Sequence, residues 1–280
     1  TTYMHSRKYQ SIYFICKRID RPIGEIIMRV LTRIPIVILV LAVAATACAS
    51  TFRQRLIQGS GNVIVEDREF SGFERISMAG AGRIIITQGD RESLSIETDD
   101  NLLEYIRTEV RGDTLEIDFT KDIILSSGTR QSLEPSAGFI FRISVIDLEE
   151  ISVSGAADIQ AEKIKADRFE VNFSGAGGIA IDDLNTGWLD VNLSGVGDVE
   201  LAGKADSQDI VISGLGRYQG FDLESQDVTV TISGAGGAEL WVSETLDVVI
   251  SGAGDVDYEG SPSVLPHPRG LGRLQGLGDK

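Results

Sequence analysis

The sequence is poor in the residues that most often build metal sites, disulfides and acid–base catalysts. Its 280 residues include two cysteines, Cys16 and Cys48, and two histidines, His5 and His267. So few, so far apart, supply neither a disulfide framework nor a Cys/His zinc cluster. A histidine-dependent triad would have to draw on His267, which lies between two prolines near the carboxyl end. Aromatics are only 6% and prolines number six, so neither an aromatic-rich core nor a proline-rich linker protein is at hand. Basic charge is scarce beyond residue 47, where 19 Lys and Arg face 40 Asp and Glu. A body this acidic repels phosphate backbones and argues against nucleic acid as a partner.

Long hydrophobic runs are missing as well. The longest, residues 34–45, spans twelve residues, short of the roughly 20 that cross a bilayer as a helix. Arg29 and Arg33 precede it and Thr46-Ala47-Cys48 follow, which is the layout of an export signal. Ala45-Thr46-Ala47-Cys48 resembles a bacterial lipobox, although alanine stands where leucine is usual. That resemblance implies a diacylglycerol thioether on Cys48 and attachment to a membrane through lipid, and Ala49 points away from inner-membrane retention. An ordinary secretory signal cleaved near Ala47 is the alternative. Met28 would open a compact signal, so the expected division is an upstream extension over 1–27, a signal peptide over 28–47, a lipidated linker over 48–58 and one domain over 59–280.

What the chain does have is glycine, 31 of them, and repetition. Ser154-Gly155, Ser174-Gly175, Ser194-Gly195, Ser213-Gly214, Ser233-Gly234 and Ser251-Gly252 recur in one pattern, with a degenerate copy at Gly270. Successive first glycines are 20, 20, 19, 20, 18 and 18 residues apart. Two earlier copies are read at Gly59-Ser60-Gly61 and Gly80-Ala81-Gly82. A fixed spacing of this size marks units that cannot bury an apolar face alone and must stack on one another.

Within each unit apolar and polar residues alternate. Phe169, Val171 and Phe173 oppose Glu170, Asn172 and Ser174, and Leu189, Val191 and Leu193 oppose Asp190, Asn192 and Ser194. The period of two belongs to half-buried strands. Short strands turning at glycine corners, once every twenty residues, predict a parallel β-helix. The corner glycines Gly155, Gly175, Gly195, Gly214, Gly234 and Gly252 serve either a positive φ or close backbone stacking. A transmembrane barrel lacks its aromatic girdles here, and a leucine-rich horseshoe lacks its asparagine ladder. Residues 84–150 keep strand chemistry without the visible period: Gly112-Asp113 reads as a tight turn, 101–106 as a short helix, and 125–138 as a protruding loop.

The combination of Gly59-Ser60-Gly61-Asn62-Val63, Phe70-Ser71-Gly72-Phe73, Gly80-Ala81-Gly82, Thr87-Gln88-Gly89-Asp90, Asp100-Asn101-Leu102-Leu103 and the Ser-Gly-x-Gly units resembles the putative auto-transporter adhesin family, head GIN domain. The resemblance implies a right-handed β-helix on exported bacterial proteins, many of them lipoproteins. Leu265-Pro266-His267-Pro268-Arg269 departs from the pattern where a serine-bearing strand is expected, which questions the pairing of the last rung.

The leading functional expectation is a non-enzymatic cell-envelope lipoprotein at the outer membrane, a putative adhesin or scaffold offering long faces to polysaccharide, to an envelope protein or to itself. The alternative is a polysaccharide lyase or hydrolase using paired surface carboxylates, since β-helices host such enzymes. Ser-Gly-x-Gly lacks the strand-to-helix setting of a nucleophile elbow and the Lys-Ser/Thr pair of a phosphate loop, so its serines read as corner residues. One column carries acids, Glu170, Asp190, Asp209 and Asp247, with Thr229 interrupting. Neighbouring carboxylates there either repel and are screened by salt, or hold calcium through oxygen ligands.

Overall fold

The computed structural model describes residues 55–120 and 131–280. Cys48, the signal segment and residues 125–130 of the expected loop lie outside the described residues. From residue 156 the chain is a parallel β-helix of rungs about 20 residues long, in a solenoid of about 6 turns. Five long strands, Ala156–Phe173, Ala176–Leu193, Val196–Ile212, Arg217–Ile232 and Gly237–Ile250, wind around it. Each pairs in parallel with the next, Val171 on Val191 on Ile210 on Val230 on Val248.

Alternation builds the core. Every second side chain points inward and stacks on its counterpart one rung away, so Phe173, Leu193, Ile212, Ile232 and Ile250 form one buried aliphatic and aromatic ladder. Each such side chain contributes about 1.5–3 kcal/mol through burial. The outward residues fall into columns on three faces. The first face follows the glycine corner (residues 156–161 in its first long strand), the second is short (163–166), and the third leads into the next corner (168–173).

The serine-glycine corners owe their glycine to crowding. None of the six first glycines has a positive φ. A Cβ on Gly195 would lie 2.1 Å from the carbonyl oxygen of Gly175, and one on Gly175 only 1.8 Å from that of Gly155. Backbone sits directly on backbone at this corner, which no larger residue permits. Of the two reasons offered by the sequence, close stacking is the one at work.

The amino-terminal part begins the stack differently. Ala81–Gln88 pairs in parallel with Ala156–Ala161, so Gly80-Ala81-Gly82 is a true copy of the corner. Gly59–Val63 is not. Val63–Arg68 runs antiparallel to Ser93–Asp99, and Gly61 is needed for its φ of 80° in a loop. Ile106–Arg111 and Thr114–Phe119 form a hairpin through Gly112, the expected tight turn. The short helix is a 3-10 turn, Asp100–Tyr105. Gln131–Glu134, expected within a loop, is a strand paired with Arg55–Gln58, a non-local partner that local reading does not reveal.

At the other end the proline-bearing segment does pair. Ser263–Pro268 lies in register on Thr245–Ile250. The Arg269 N–H donates to the Ile250 carbonyl at 2.8 Å, so by alternation Pro266 and Pro268 occupy the positions whose N–H would face the open edge. Proline is tolerated there because no donor is required, and it blunts an edge that would otherwise add another strand.

Candidate functional site

The register places the four predicted acids in one outward column of the third face. Glu150, Glu170, Asp190, Asp209, Thr229 and Asp247 follow one another rung by rung, so the row begins one rung earlier than read from the repeats. The carboxylates are engaged separately. Asp190 pairs with Arg168 and accepts the Trp188 Nε1–H at 3.0 Å; Asn172 Nδ2 donates to Glu170 at 2.7 Å and to Glu150 at 3.1 Å. Asp247 faces His267 Nε2 at 3.6 Å. Asp209 is the crowded one: partial burial, then the charge of Asp190, raise its pKa above the ordinary aspartate range. Among the described residues no group of three or more His, Cys, Asp or Glu is arranged to hold a metal ion.

Beside the acids stand two features that sequence reading passed over. Trp188 is 40% exposed, although its strand alternates correctly, because the indole occupies an outward position between Arg168 and Ser207. The Arg168 guanidinium lies 5.7 Å from its ring centroid. In the next column Asn192 Nδ2 donates to Asn172 Oδ1 at 3.1 Å, the start of an amide ladder. An indole, stacked amides and carboxylates thus share one flat strip. Alternation alone marked Trp188 as outward, and its rarity in this chain was the signal to weigh.

The first face has another character. Its column nearest the corner is apolar: Ala156, Ala176, Val196, Leu215, Ala235 and Ala253 follow in register, and Leu271 continues it. Val196, Leu215 and Leu271 are 59%, 66% and 93% exposed. The next column carries charge and two glycines. Arg83, Asp158, Gly178 and Asp198 are followed by Arg217, Gly237 and Asp255, with Arg273 beside the last. Where the glycines remove side chains the face is notched. The notch at Gly237 is a groove of about 410 Å³ lined by Asp198, Leu215, Arg217, Glu239 and Asp255 among others; a smaller one of about 200 Å³ lies at Gly178.

The six corner serines are exposed at the seam between third and first faces. The Ser174 hydroxyl donates to the Val153 carbonyl at 3.1 Å, a corner contact rather than nucleophile geometry. At the amino end, the family-like segments meet. The buried Asp99 carboxylate accepts from Gly61 N–H and from the N–H and hydroxyl of Ser136. The Ser136 hydroxyl, then its N–H, hold Asp99 below the ordinary range; bonds from Ser60 and then Asn62 do the same for Asp100.

Residues 72–262 match the family model described as putative auto-transporter adhesin, head GIN domain. Among solved structures the chain is similar to a putative adhesin from Bacteroides fragilis, at 26% identity and a TM-score of 0.73, over 79% of this chain and 100% of that one. It is similar in fold to a putative lipid binding protein from Parabacteroides distasonis, at 23% identity and a TM-score of 0.67, over 80% of this chain and 100% of that one. A putative adhesin from Parabacteroides merdae has the same fold at 20% identity and a TM-score of 0.62, over 80% and 99%. No curated protein matches the chain.

Proposed function

This chain belongs to the putative auto-transporter adhesin, head GIN domain family, and from that premise we propose that it is a non-catalytic cell-envelope recognition protein, lipid-anchored at Cys48 in the outer membrane, whose third face binds a neutral polysaccharide. The observation that carries this reading is the strip around Trp188. An exposed indole offers a flat apolar surface to the C–H face of a sugar ring, while the amides of Asn172 and Asn192 and the carboxylate of Asp190 suit its hydroxyls. The acids of the neighbouring column repel anionic glycans and so favour neutral ones over acidic ones. Columns repeating at one rung, about 4.8 Å, suit an extended chain lying along the stack.

The test is direct. The Cys48→Ala chain, recovered after export, should bind neutral polysaccharides and ignore acidic ones of the same length. Trp188→Ala should weaken binding about tenfold, and Trp188→Phe less. Undiminished binding by Trp188→Ala would move the site off this face. The anchor is read separately: labelled palmitate should enter the native chain and not the Cys48→Ala variant.

A further inference from the structure

The first face is complementary to itself in reverse, and we infer that two copies of this chain pair through it about a two-fold axis at Gly237. On five successive rungs its charged column reads Asp198, Arg217, Gly237, Asp255, Arg273. A second copy laid face to face, strands in the same direction and rungs in the opposite order, sets Gly237 on Gly237. Arg217 then meets Asp255, and Asp198 meets Arg273. Two-fold symmetry repeats each pair, giving four acid–base contacts. Reversal about the other notch fails: around Gly178 it sets Asp158 against Asp198 and Arg83 against Arg217. Among the described residues Asp198 and Arg217 are in no ion pair within the chain, although they are neighbours in register, whereas Arg273 lies 3.5 Å from Asp257 of its own chain and would share its charge between Asp257 and the second copy's Asp198.

The same operation treats the apolar ridge consistently. Leu215 meets Ala253, Val196 meets Leu271 and Ala235 meets itself, which removes the most exposed leucines from water. Glycine at the axis and alanine beside it let the two sheets approach closely. In the third column Gln219 meets Asp257 and Glu200 meets Gln275, amide against carboxylate, while Glu239 meets its own copy. That single repulsion and a footprint of five rungs by one strand, about 24 by 17 Å, place the pair near the small end of specific interfaces. It forms in the micromolar range and weakens with salt.

Reversed rungs have a further consequence, which rests on the anchoring proposed above. The Gly59 loop is tied by Asp99 to the amino end of the stack, so the two amino ends point in opposite directions. A pair of this kind joins two facing surfaces.

Site-directed cross-linking tests the axis. In a chain carrying Cys16→Ser and Cys48→Ser, purified in mild detergent, Gly237→Cys should cross-link with a short bis-maleimide. Gly178→Cys, three rungs away in the same column, should not. Both sites are similarly tight, an added Cβ lying 3.3 Å from the Asp255 carbonyl oxygen at Gly237 and 3.1 Å from the Asp198 carbonyl oxygen at Gly178, so each neighbour has to give by a few tenths of an ångström and the two variants are matched in that respect. In sedimentation equilibrium Arg217→Glu should weaken association about tenfold, and Arg217→Glu with Asp255→Arg should restore it. Trp188→Ala should leave it unchanged, which separates this pairing from glycan binding. Equal cross-linking at both cysteines, an Arg217→Glu variant that associates normally, or a chain monomeric at about 100 μM would each overturn the inference.

Discussion

Residues 59–145, the corner copy Gly80-Ala81-Gly82 apart, and residues 156–250 bury similar side chains in alternating strands, yet a loop glycine of the first, Gly61, and a corner glycine of the second, Gly195, do opposite work. In the stack, Gly195 sits at a bend without a positive φ and has no space for a Cβ, because the Gly175 carbonyl already occupies it. In the amino-terminal sheets, Gly61 has φ of 80° and open space around the missing Cβ. One region repeats a single backbone contact at every rung. The other is assembled from singular turns held by particular side chains, such as Asp99 on Ser136. Replacing the same residue type by alanine should expose the difference. Gly195→Ala, forced against backbone on a neighbouring rung, should cost about 3 kcal/mol or more; Gly61→Ala should cost about 1 kcal/mol, the strain of a left-handed alanine alone. Urea unfolding of the two variants measures both, and equal losses would erase the distinction.

The same contrast explains what could be read before the structure. In the stack a local pattern repeats, so the strands, their inward faces, the corner glycines and the column of Glu170, Asp190, Asp209 and Asp247 all follow from spacing. Across residues 63–145, the hairpin through Gly112 apart, partners are distant in sequence: Ser93–Asp99 runs antiparallel between Val63–Arg68 and Ile140–Val145. No period records such a pairing, and Gly59-Ser60-Gly61 imitates the corner while serving a loop. Trp188 obeyed the alternation, yet its worth came only from neighbours that the register brings beside it, Arg168 and Asp190. The self-complementary order of charges on the first face likewise needs the rung-by-rung register before it can be seen.

One rung breaks the regularity of the stack from inside. Tyr218 is fully buried at a position held by Val199 on one side and Ala238 on the other, and Gly220 leaves room for its ring. Its hydroxyl donates to Gln208 Oε1 at 2.5 Å, and Gln208 Nε2 donates to Ser225 Oγ at 2.5 Å. Burial pushes the Tyr218 pKa far up, so the phenol stays neutral. If this rung relies on a specific polar network, as the amino-terminal sheets do, Tyr218→Phe should cost about 2 kcal/mol by leaving the Gln208 carbonyl unpaired. Adding Gln208→Leu and Ser225→Ala should recover much of that loss, because apolar groups then fill the whole space. Denaturant midpoints of the single and triple variants decide it; a Tyr218→Phe chain as stable as the parent would make the network incidental.

The smallest effect, and the most selective, is the opposite response of the two regions to acid. Asp99 and Asp100 have folded-state pKa values below the ordinary 3.8 because hydrogen bonds from Ser136, and from Ser60 and Asn62, favour their charged forms. Their contribution is fully present above the unfolded value and is lost as pH falls through the lower folded values, that is, below about 4. Asp209 has a raised pKa, chiefly from burial and then from Asp190. Its charge destabilises the stack at neutral pH, and the penalty is relieved as pH falls through that raised value, with relief complete below the unfolded one. Amide exchange followed by peptide should therefore slow over residues 190–232 when pH is lowered from 7 toward 4, after correction for intrinsic rates, and accelerate over residues 59–105 only below about 4. Asp209→Asn should abolish the first change and leave the second. Matched additions of sodium and calcium at neutral pH then separate screening of the acidic column from a cation bound within it: screening protects residues 190–232 equally in both salts, whereas a bound cation protects them more in calcium, and only while Asp190 and Asp209 are intact.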